Sequence, residues 1–257
     1  LMGGQLSALW HPAELVVIIG MAICAYMAAT PISVWKGTLS YFWAFIIGRR
    51  IQKQHYSELL ELMDELTRKS RAQGLMSLEV HLDNPDDSQI FTKYPHFLSH
   101  QDLRRFVIDN FNYLLMSPAR AFEFDQLLQK QIDIVIEERF EVPRALSKLS
   151  DWLPGFGIVA AVMGVILTMD LLSGEMDVAA IGTAIGAALV GTLTGVFLAF
   201  AVCAPFAHSV EVMIRQERNL LETASNCLQA YVNGASPQVA IEVGYQSIPS
   251  QFTHYRD

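Results

Sequence analysis

The basic residues of this chain are confined to two stretches, and this distribution constrains the fold more than any motif does. All 18 lysines and arginines lie in residues 36–148 or 215–256. Three other stretches, 15–35, 152–169 and 178–210, contain no Asp, Glu, Lys or Arg and are rich in aliphatic residues. At 1.5 Å per helical residue, each is long enough, or nearly so, to cross about 30 Å of hydrocarbon. The sequence therefore predicts an all-α integral membrane protein with three spanning helices.

The same distribution predicts the orientation of the spans, because loops rich in Lys and Arg stay in the cytosol. The basic insert and the tail should then face the cytosol, with the chain start and the short loop near residue 175 on the other side. The predicted domains are a start with the first span (1–35), a helical cytoplasmic domain (36–150), a helix pair (151–210) and a cytoplasmic helix and tail (211–257).

The overall composition agrees with a chain that is part membrane and part cytosol, since 52% of the residues are hydrophobic and 17% are charged. A net charge of −8 argues against a general nucleic-acid binder. Cys24 and Cys203 fall in predicted spans and Cys227 in a predicted cytosolic helix, so we expect no disulfide framework.

Apolar periodicity predicts that the cytosolic insert is helical. Leu59, Leu62, Met63 and Leu66 form one stripe within residues 57–73, and Gly74 is placed to end that helix. A second helix follows, with an apolar face that begins at Leu103 and a cap at Ser99 or His100. A long third helix is predicted beyond Pro118 and should run on through Leu149 into the span at 152–169, and the last span should extend to Asn233 and Gly234.

Small residues recur at four-residue spacing in the last span, as Gly182 with Gly186 and Gly191 with Gly195. Such faces let helices approach closely. Spacing alone leaves two interpretations open: packing against another helix of the same chain, which it favours, or contact with another subunit or a partner helix.

The predicted spans contain no Asp, Glu, Lys or Arg that could relay an ion at depth. Asp151 lies just before the second span, where it is either an interfacial residue or part of a cytosolic exit. The chain is therefore either not a transporter, or a second chain supplies the carboxylate.

Two patterns that imitate functional motifs carry little weight. Residues 155–160 match a loose dinucleotide fingerprint, but they open a predicted span and follow no strand. His96 and His100 have metal-ligand spacing but no third ligand nearby, so we expect surface histidines. The sequence offers no catalytic cluster, and we expect no enzyme, metal or cofactor.

Longer segments of the chain resemble the MotA family of bacterial flagellar stator subunits, in the family's order and almost end to end. The resembling segments are Gly3–Trp10, Pro12–Leu15, Ser70-Arg71 with Gly74, Ser77–Glu79, Leu153–Gly164, and Val190–Thr192 with Pro205.

The resemblance implies a four-span protein of the bacterial inner membrane whose first span is missing from this chain, with a bulky cytoplasmic part. It implies a homopentamer around two copies of a MotB-like partner. That partner supplies the ion-carrying aspartate and anchors to peptidoglycan. It also implies contact with membrane lipid and with a FliG-like rotor protein.

Site residues follow from the same resemblance. Arg71 and Glu79, assisted by Arg68 and Lys69, match the charges that engage the rotor, although both can also be solvated surface charges. The two functional prolines of the family match Pro154 and Pro205. Without the resemblance, Pro154 would be interpreted as a simple helix start and Pro205 as a kink.

Ion choice is predicted from one position. Sodium-driven relatives carry threonine where this chain has Ala161, and a methyl group cannot coordinate a cation, so we predict proton coupling with Thr192 on the facing span. Two alternatives remain at this stage: a subunit like ExbB or TolQ that energises an outer-membrane system, and a passive membrane scaffold.

Overall fold

The computed structural model describes residues 12–48, 51–116, 121–169 and 178–253. Within these ranges the chain is helical and contains no strand, as the sequence predicts. The chain divides into two compact units, an apolar unit of residues 1–48 and 139–211 and a polar unit of residues 49–138 and 212–257. The Gly3–Trp10 motif and the predicted loop near residue 175 lie outside the described ranges.

The first two helices of the apolar unit are α1 (Pro12–Ala29) and α2 (Ile32–Ile47). The predicted helix at 15–35 is therefore wrong at its C-terminal end, because the observed helix ends at Ala29. The reason is Pro31, whose ring disfavours helical geometry in the residue before it. Pro31 itself is extended, with φ −71° and ψ 159°, and α2 starts directly after it.

The remaining helices of the apolar unit are parts of α7 (Ala121–Met169), α8 (Val178–Phe197) and α9 (Ala204–Val232), with a π-helical turn at Leu198–Cys203 between the last two. The predicted continuous helix through Leu149 into the second span is confirmed. A helix start at Pro154 is wrong, because Pro154 lies inside α7. Among the described residues, three helical stretches are long and apolar enough to cross a membrane: Pro12–Ala29, Ala121–Ile166 and Ile185–Val232.

The core of the apolar unit joins α1, α7 and the π-helical turn. Its buried residues are Ile18, Ala22, Leu153, Ala160, Ala199 and Cys203. Many other aliphatic side chains of the apolar unit are exposed, among them Val16, Ile158 and Leu193, which are 69%, 54% and 56% exposed. An apolar surface of this kind suits a lipid environment rather than water.

The polar unit contains α3 (Lys53–Gln73), α4 (Glu79–Asp83), α5 (Pro95–Ser99), α6 (Gln101–Met116), α10 (Pro237–Gln246) and α11 (Ser250–Thr253), with the remaining parts of α7 and α9. The predicted stripe of α3 is buried, and α3 ends at Gly74, whose φ of 85° favours glycine. The Leu103 N–H donates to His100 Nδ1 at 3.5 Å, so His100 fills the predicted capping position of α6.

Candidate functional site

Helices α7 and α8 approach so closely that only glycine fits at their crossing. A Cβ atom on Gly195 would lie 2.7 Å from the Leu153 carbonyl oxygen and 2.8 Å from the Gly157 Cα. A Cβ on Gly157 would lie 2.9 Å from the Gly191 carbonyl oxygen. The pair Gly191 and Gly195 therefore packs within the chain, as spacing alone favoured.

The other glycine pair behaves differently. Nothing in the described structure lies within 4 Å of a Cβ placed on Gly182 or Gly186. Packing between α7 and α8 therefore gives no reason for small residues in that part of α8.

The two residues predicted for ion selectivity lie at the α7–α8 crossing. Ala161 is 9% exposed, and its backbone nitrogen is 3.5 Å from a Cβ placed on Gly191. The Thr192 Cα is 3.3 Å from a Cβ placed on Gly157, and the Thr192 hydroxyl donates to the Ala188 carbonyl at 3.4 Å. Thr192 thus bonds to its own helix in this conformation.

A carboxylate that the sequence analysis did not consider approaches the same crossing. Glu14 belongs to the first turn of α1, and its Cγ lies 3.6 Å from a Cβ placed on Gly191. The Glu14 Oε2 atom is shielded from solvent. The predicted span was defined as an uncharged stretch and therefore began at residue 15, which left Glu14 outside it. The helix itself begins at Pro12 and includes Glu14.

The regions around the two predicted functional prolines are joined by two hydrogen bonds. The Ser150 hydroxyl donates to the Ala199 carbonyl at 2.9 Å, and the Cys203 thiol donates to the Leu146 carbonyl at 3.3 Å. Pro154 has no N–H for the Ser150 carbonyl four residues earlier, which weakens α7 at this level.

The π-helical turn weakens α9 at the matching place. The Ala204 N–H donates to the Ala199 carbonyl, five residues back, and Pro205 follows without an N–H of its own. The π-helical turn is therefore bonded to the proline-containing level of α7 through Ser150 and Cys203, neither of which the sequence analysis proposed as a site residue. Asp151, next to Ser150, is exposed and forms no ion pair within the described residues.

The three basic residues predicted to contact a rotor all have partners within the polar unit. Arg68 Nε lies 2.7 Å from Asp64 Oδ2, and Lys69 Nζ lies 2.6 Å from His81 Nε2. Arg71 donates to the Ala235 carbonyl at 2.8 Å and stacks over the Tyr231 ring at 5.4 Å from its centroid.

Glu79 has a different environment. It begins α4, is exposed and forms no ion pair with any described residue. The neighbouring Met76 and Val80 are 65% and 74% exposed. Glu79 is thus a carboxylate available to a partner, with apolar surface on both sides.

Lys69 is held by a hydrogen-bonded chain through His81. Because an ammonium group only donates, His81 Nε2 must accept from Lys69, and His81 Nδ1–H then donates to the Ser88 hydroxyl at 2.9 Å. Ser88 Oγ in turn accepts the Ile90 N–H at 3.2 Å. Burial, followed by the Lys69 charge, lowers the pKa of His81 below its usual 6.5.

Metal-ligating side chains do not converge in the described parts of the chain, where no group of three or more His, Cys, Asp or Glu could hold an ion. His96, which has metal-ligand spacing with His100, is instead paired with Glu58, whose Oε2 also accepts the His96 N–H at 2.8 Å.

Comparisons with known proteins agree with this architecture. The family model described as motility protein A N-terminal matches residues 1–74, and that of the MotA/TolQ/ExbB proton channel family matches residues 99–223. The chain is 34% identical to motility protein A of Salmonella typhimurium and 33% identical to that of Escherichia coli, each over 96% of this chain and 83% of the relative. It is 32% identical to the chemotaxis protein LafT of Vibrio parahaemolyticus, over 96% and 86%.

Two solved structures share the fold. The MotAB structure of C. jejuni superimposes with a TM-score of 0.75 at 18% identity, covering 96% of this chain and 88% of that one. The flagellar MotAB stator complex of Bacillus subtilis gives 0.73 at 23% identity, covering 97% and 89%.

Proposed function

The chain belongs to the motility protein A family, and from this premise we propose that it is a flagellar stator subunit that couples ion flow across the inner membrane to torque on the rotor. The observation that carries the proposal is the glycine-packed α7–α8 pair, whose described part has no Asp, Glu, Lys or Arg from residue 152 to 169 or from 178 to 203. Such a pair can line an ion path but needs a titratable group from elsewhere.

That group is the aspartate of a MotB-like partner. The solved relatives are MotAB complexes, which supports a partner of this kind. Five copies of the chain surround two partner helices, and the open glycines Gly182 and Gly186 offer α8 a close approach to a neighbouring copy or to the partner. The protein is multi-pass, with the polar unit in the cytosol, where the positive-inside rule places it.

Torque reaches a FliG-like rotor protein through Glu79, with Arg68, Lys69 and Arg71 around it. Bending at Pro154 and Pro205 transmits the protonation state of the partner to the polar unit. Ala161 offers no side-chain oxygen to a sodium ion, so the coupling ion is the proton, with Thr192 beside the path and Asp151 at its cytosolic exit.

The ExbB and TolQ alternative is not favoured, because residues 1–74 match a model specific to motility protein A. Proton uptake distinguishes the two remaining functions: a stator with its partner should conduct protons into the cell, and a passive scaffold should not.

The cytosolic pH of cells that co-express the chain and its partner should fall when the medium is made more acidic than the cytosol. A pH-sensitive fluorescent protein in the cytosol would report this fall. Either subunit alone, or a partner with its membrane aspartate changed to asparagine, should give no acidification. Unchanged cytosolic pH with both subunits present in the membrane would contradict the channel and favour the scaffold.

A further inference from the structure

A cavity of about 730 Å³ opens in the apolar unit, between the α1–α2 turn, α7 and the side chain of Glu211. Its volume falls within the ~300–1,000 Å³ of typical small-molecule sites. In the membrane topology proposed above, on which this inference rests, the cavity lies where α1 and α7 reach the cytosolic surface. Neither the ion-path residues nor the rotor-contact residues line it.

The cavity is lined by equal numbers of positively and negatively charged side chains. Arg144 and Lys148 are four residues apart on α7 and so lie on one face, while Glu141 and Glu211 supply two carboxylates. Arg144 Nη1 donates to Glu141 Oε1 at 3.2 Å. Lys148 forms no ion pair among the described residues and is exposed, so its ammonium group is available to an anion.

The rest of the lining matches the boundary between head groups and hydrocarbon. Tyr26 and Trp152 combine an aromatic body with a polar tip, the residue types that concentrate at this level of a bilayer. The buried side chains of Val34, Pro143 and Ala145 give the cavity an apolar wall. A ligand with a charged end and an apolar continuation would satisfy both parts.

The turn that forms one wall is fixed by its own hydrogen bonds. The Tyr26 hydroxyl bonds to the Thr38 hydroxyl at 2.6 Å, and Trp35 Nε1 donates to the Thr30 hydroxyl at 2.8 Å. The wall therefore exists before a ligand binds, which reduces the ordering cost of binding.

We propose that this cavity binds the head group of a zwitterionic phospholipid that carries a primary amine. The phosphate bonds to Lys148 and Arg144, and the ammonium group donates to Glu211. Two carboxylates beside two cations disfavour a purely anionic head group. A quaternary amine has no N–H for Glu211, so phosphatidylethanolamine should bind better than phosphatidylcholine.

Native mass spectrometry of the purified complex with its partner tests the proposal, with phosphatidylethanolamine, phosphatidylcholine or phosphatidylglycerol added in turn. Lys148→Gln should lower retention of phosphatidylethanolamine about three- to fivefold, the upper range for one exposed ionic contact. Glu211→Gln should abolish the preference over phosphatidylcholine. Lys130→Gln removes an exposed lysine of the same helix outside the cavity and should change nothing.

Three outcomes would overturn the proposal: equal retention of all three lipids, competition by inorganic phosphate as strong as competition by lipid, and cross-linking of two copies through Ser147→Cys at the cavity rim. The first would show an unselective surface, the second a free-anion site and the third a cavity covered by another subunit. Proton uptake by the same variants separates this result from the channel function, since a failed lipid site leaves wild-type uptake intact.

Discussion

Arg71 and Glu79 received the same functional prediction, but their side chains have different surroundings. Arg71 donates to the Ala235 carbonyl and stacks on Tyr231, so it also holds the end of α9 and the following turn. Glu79 has no ion pair among the described residues. A substitution at Arg71 therefore combines loss of a charge with loss of structure, whereas a substitution at Glu79 changes charge alone.

Glu79→Lys should stop or strongly slow rotation without lowering the amount of folded protein, because placing like charges together at an interface costs several kcal/mol. Rotation should return when the facing charge on the rotor protein is also reversed. Asp109→Lys, which reverses another exposed carboxylate of the polar unit, is the matched control and should rotate normally. Full rotation of cells with Glu79→Lys would remove Glu79 from the rotor contact.

His81 gives the polar unit a pH dependence whose sign follows from its lowered pKa. Its folded pKa lies below 6.5, so its contribution to stability is complete above pH 6.5 and is lost as pH falls through the folded value. Protonated His81 would place an N–H against the Lys69 ammonium and weaken the bonds through Ser88. Hydrogen exchange of residues 88–94, corrected for intrinsic rates, should therefore be faster at pH 5.5 than at pH 7.5.

His81→Gln is the control for this effect, since an amide can accept from Lys69 and donate to Ser88 without titrating. Exchange in this variant should be nearly independent of pH over the same range. The same pH dependence in both proteins would assign the effect to another group.

Sequence reasoning identified the charged candidates at this scale but not their partners. Nothing in the sequence indicates that Arg71 contacts Tyr231 or that Lys69 contacts His81, because these residues are far apart along the chain. Glu14 was missed for another reason: the span was defined as a stretch without charged residues, so a charged residue at its end was left out. The buried stripe of α3 was predictable because periodicity of 3.6 residues is a local property.

Helices α7 and α8 show what a glycine pattern can and cannot tell. Both glycine pairs have the same spacing, yet only Gly191 and Gly195 meet a helix of the same chain. The π-helical turn was also invisible in the sequence, since an apolar run has the same composition whether its hydrogen bonds span four residues or five. The functional role of Pro154 stays a prediction, and its place inside a 49-residue helix required the structure.

Gly195→Ala should destabilise the apolar unit by about 1–3 kcal/mol, the usual cost of overpacking, because the added methyl group would meet the backbone of α7 at 2.7 Å. Gly186→Ala has open space and a better helix former, so the thermal stability of the isolated chain in detergent should be unchanged or slightly higher. Assembly with the partner should nevertheless fall in Gly186→Ala. Equal destabilisation by both variants would contradict the distinction between the two pairs.

At the scale of the whole molecule, charge distribution predicted an all-helical chain with three apolar stretches of spanning length, and the residues that the structure describes contain three helical stretches of that kind. The predicted four-part division of the chain stays a prediction. The structure groups α2 and the α7 segment from residue 139 with the apolar helices, although this segment carries Arg139, Arg144 and Lys148. Composition could not separate α2 and this part of α7 from the cytosolic insert, because it is read along the sequence and does not show which helices pack together.

Rotation of tethered cells that lack their own stators is the most direct test of the central claim, that this chain is a proton-driven stator subunit. Such cells would express the protein with its partner and be observed with and without sodium. We expect rotation that persists without sodium and stops when the proton gradient is collapsed. Rotation that requires sodium would contradict the ion assignment made from Ala161, and no rotation despite assembly of both subunits in the membrane would contradict the stator function itself.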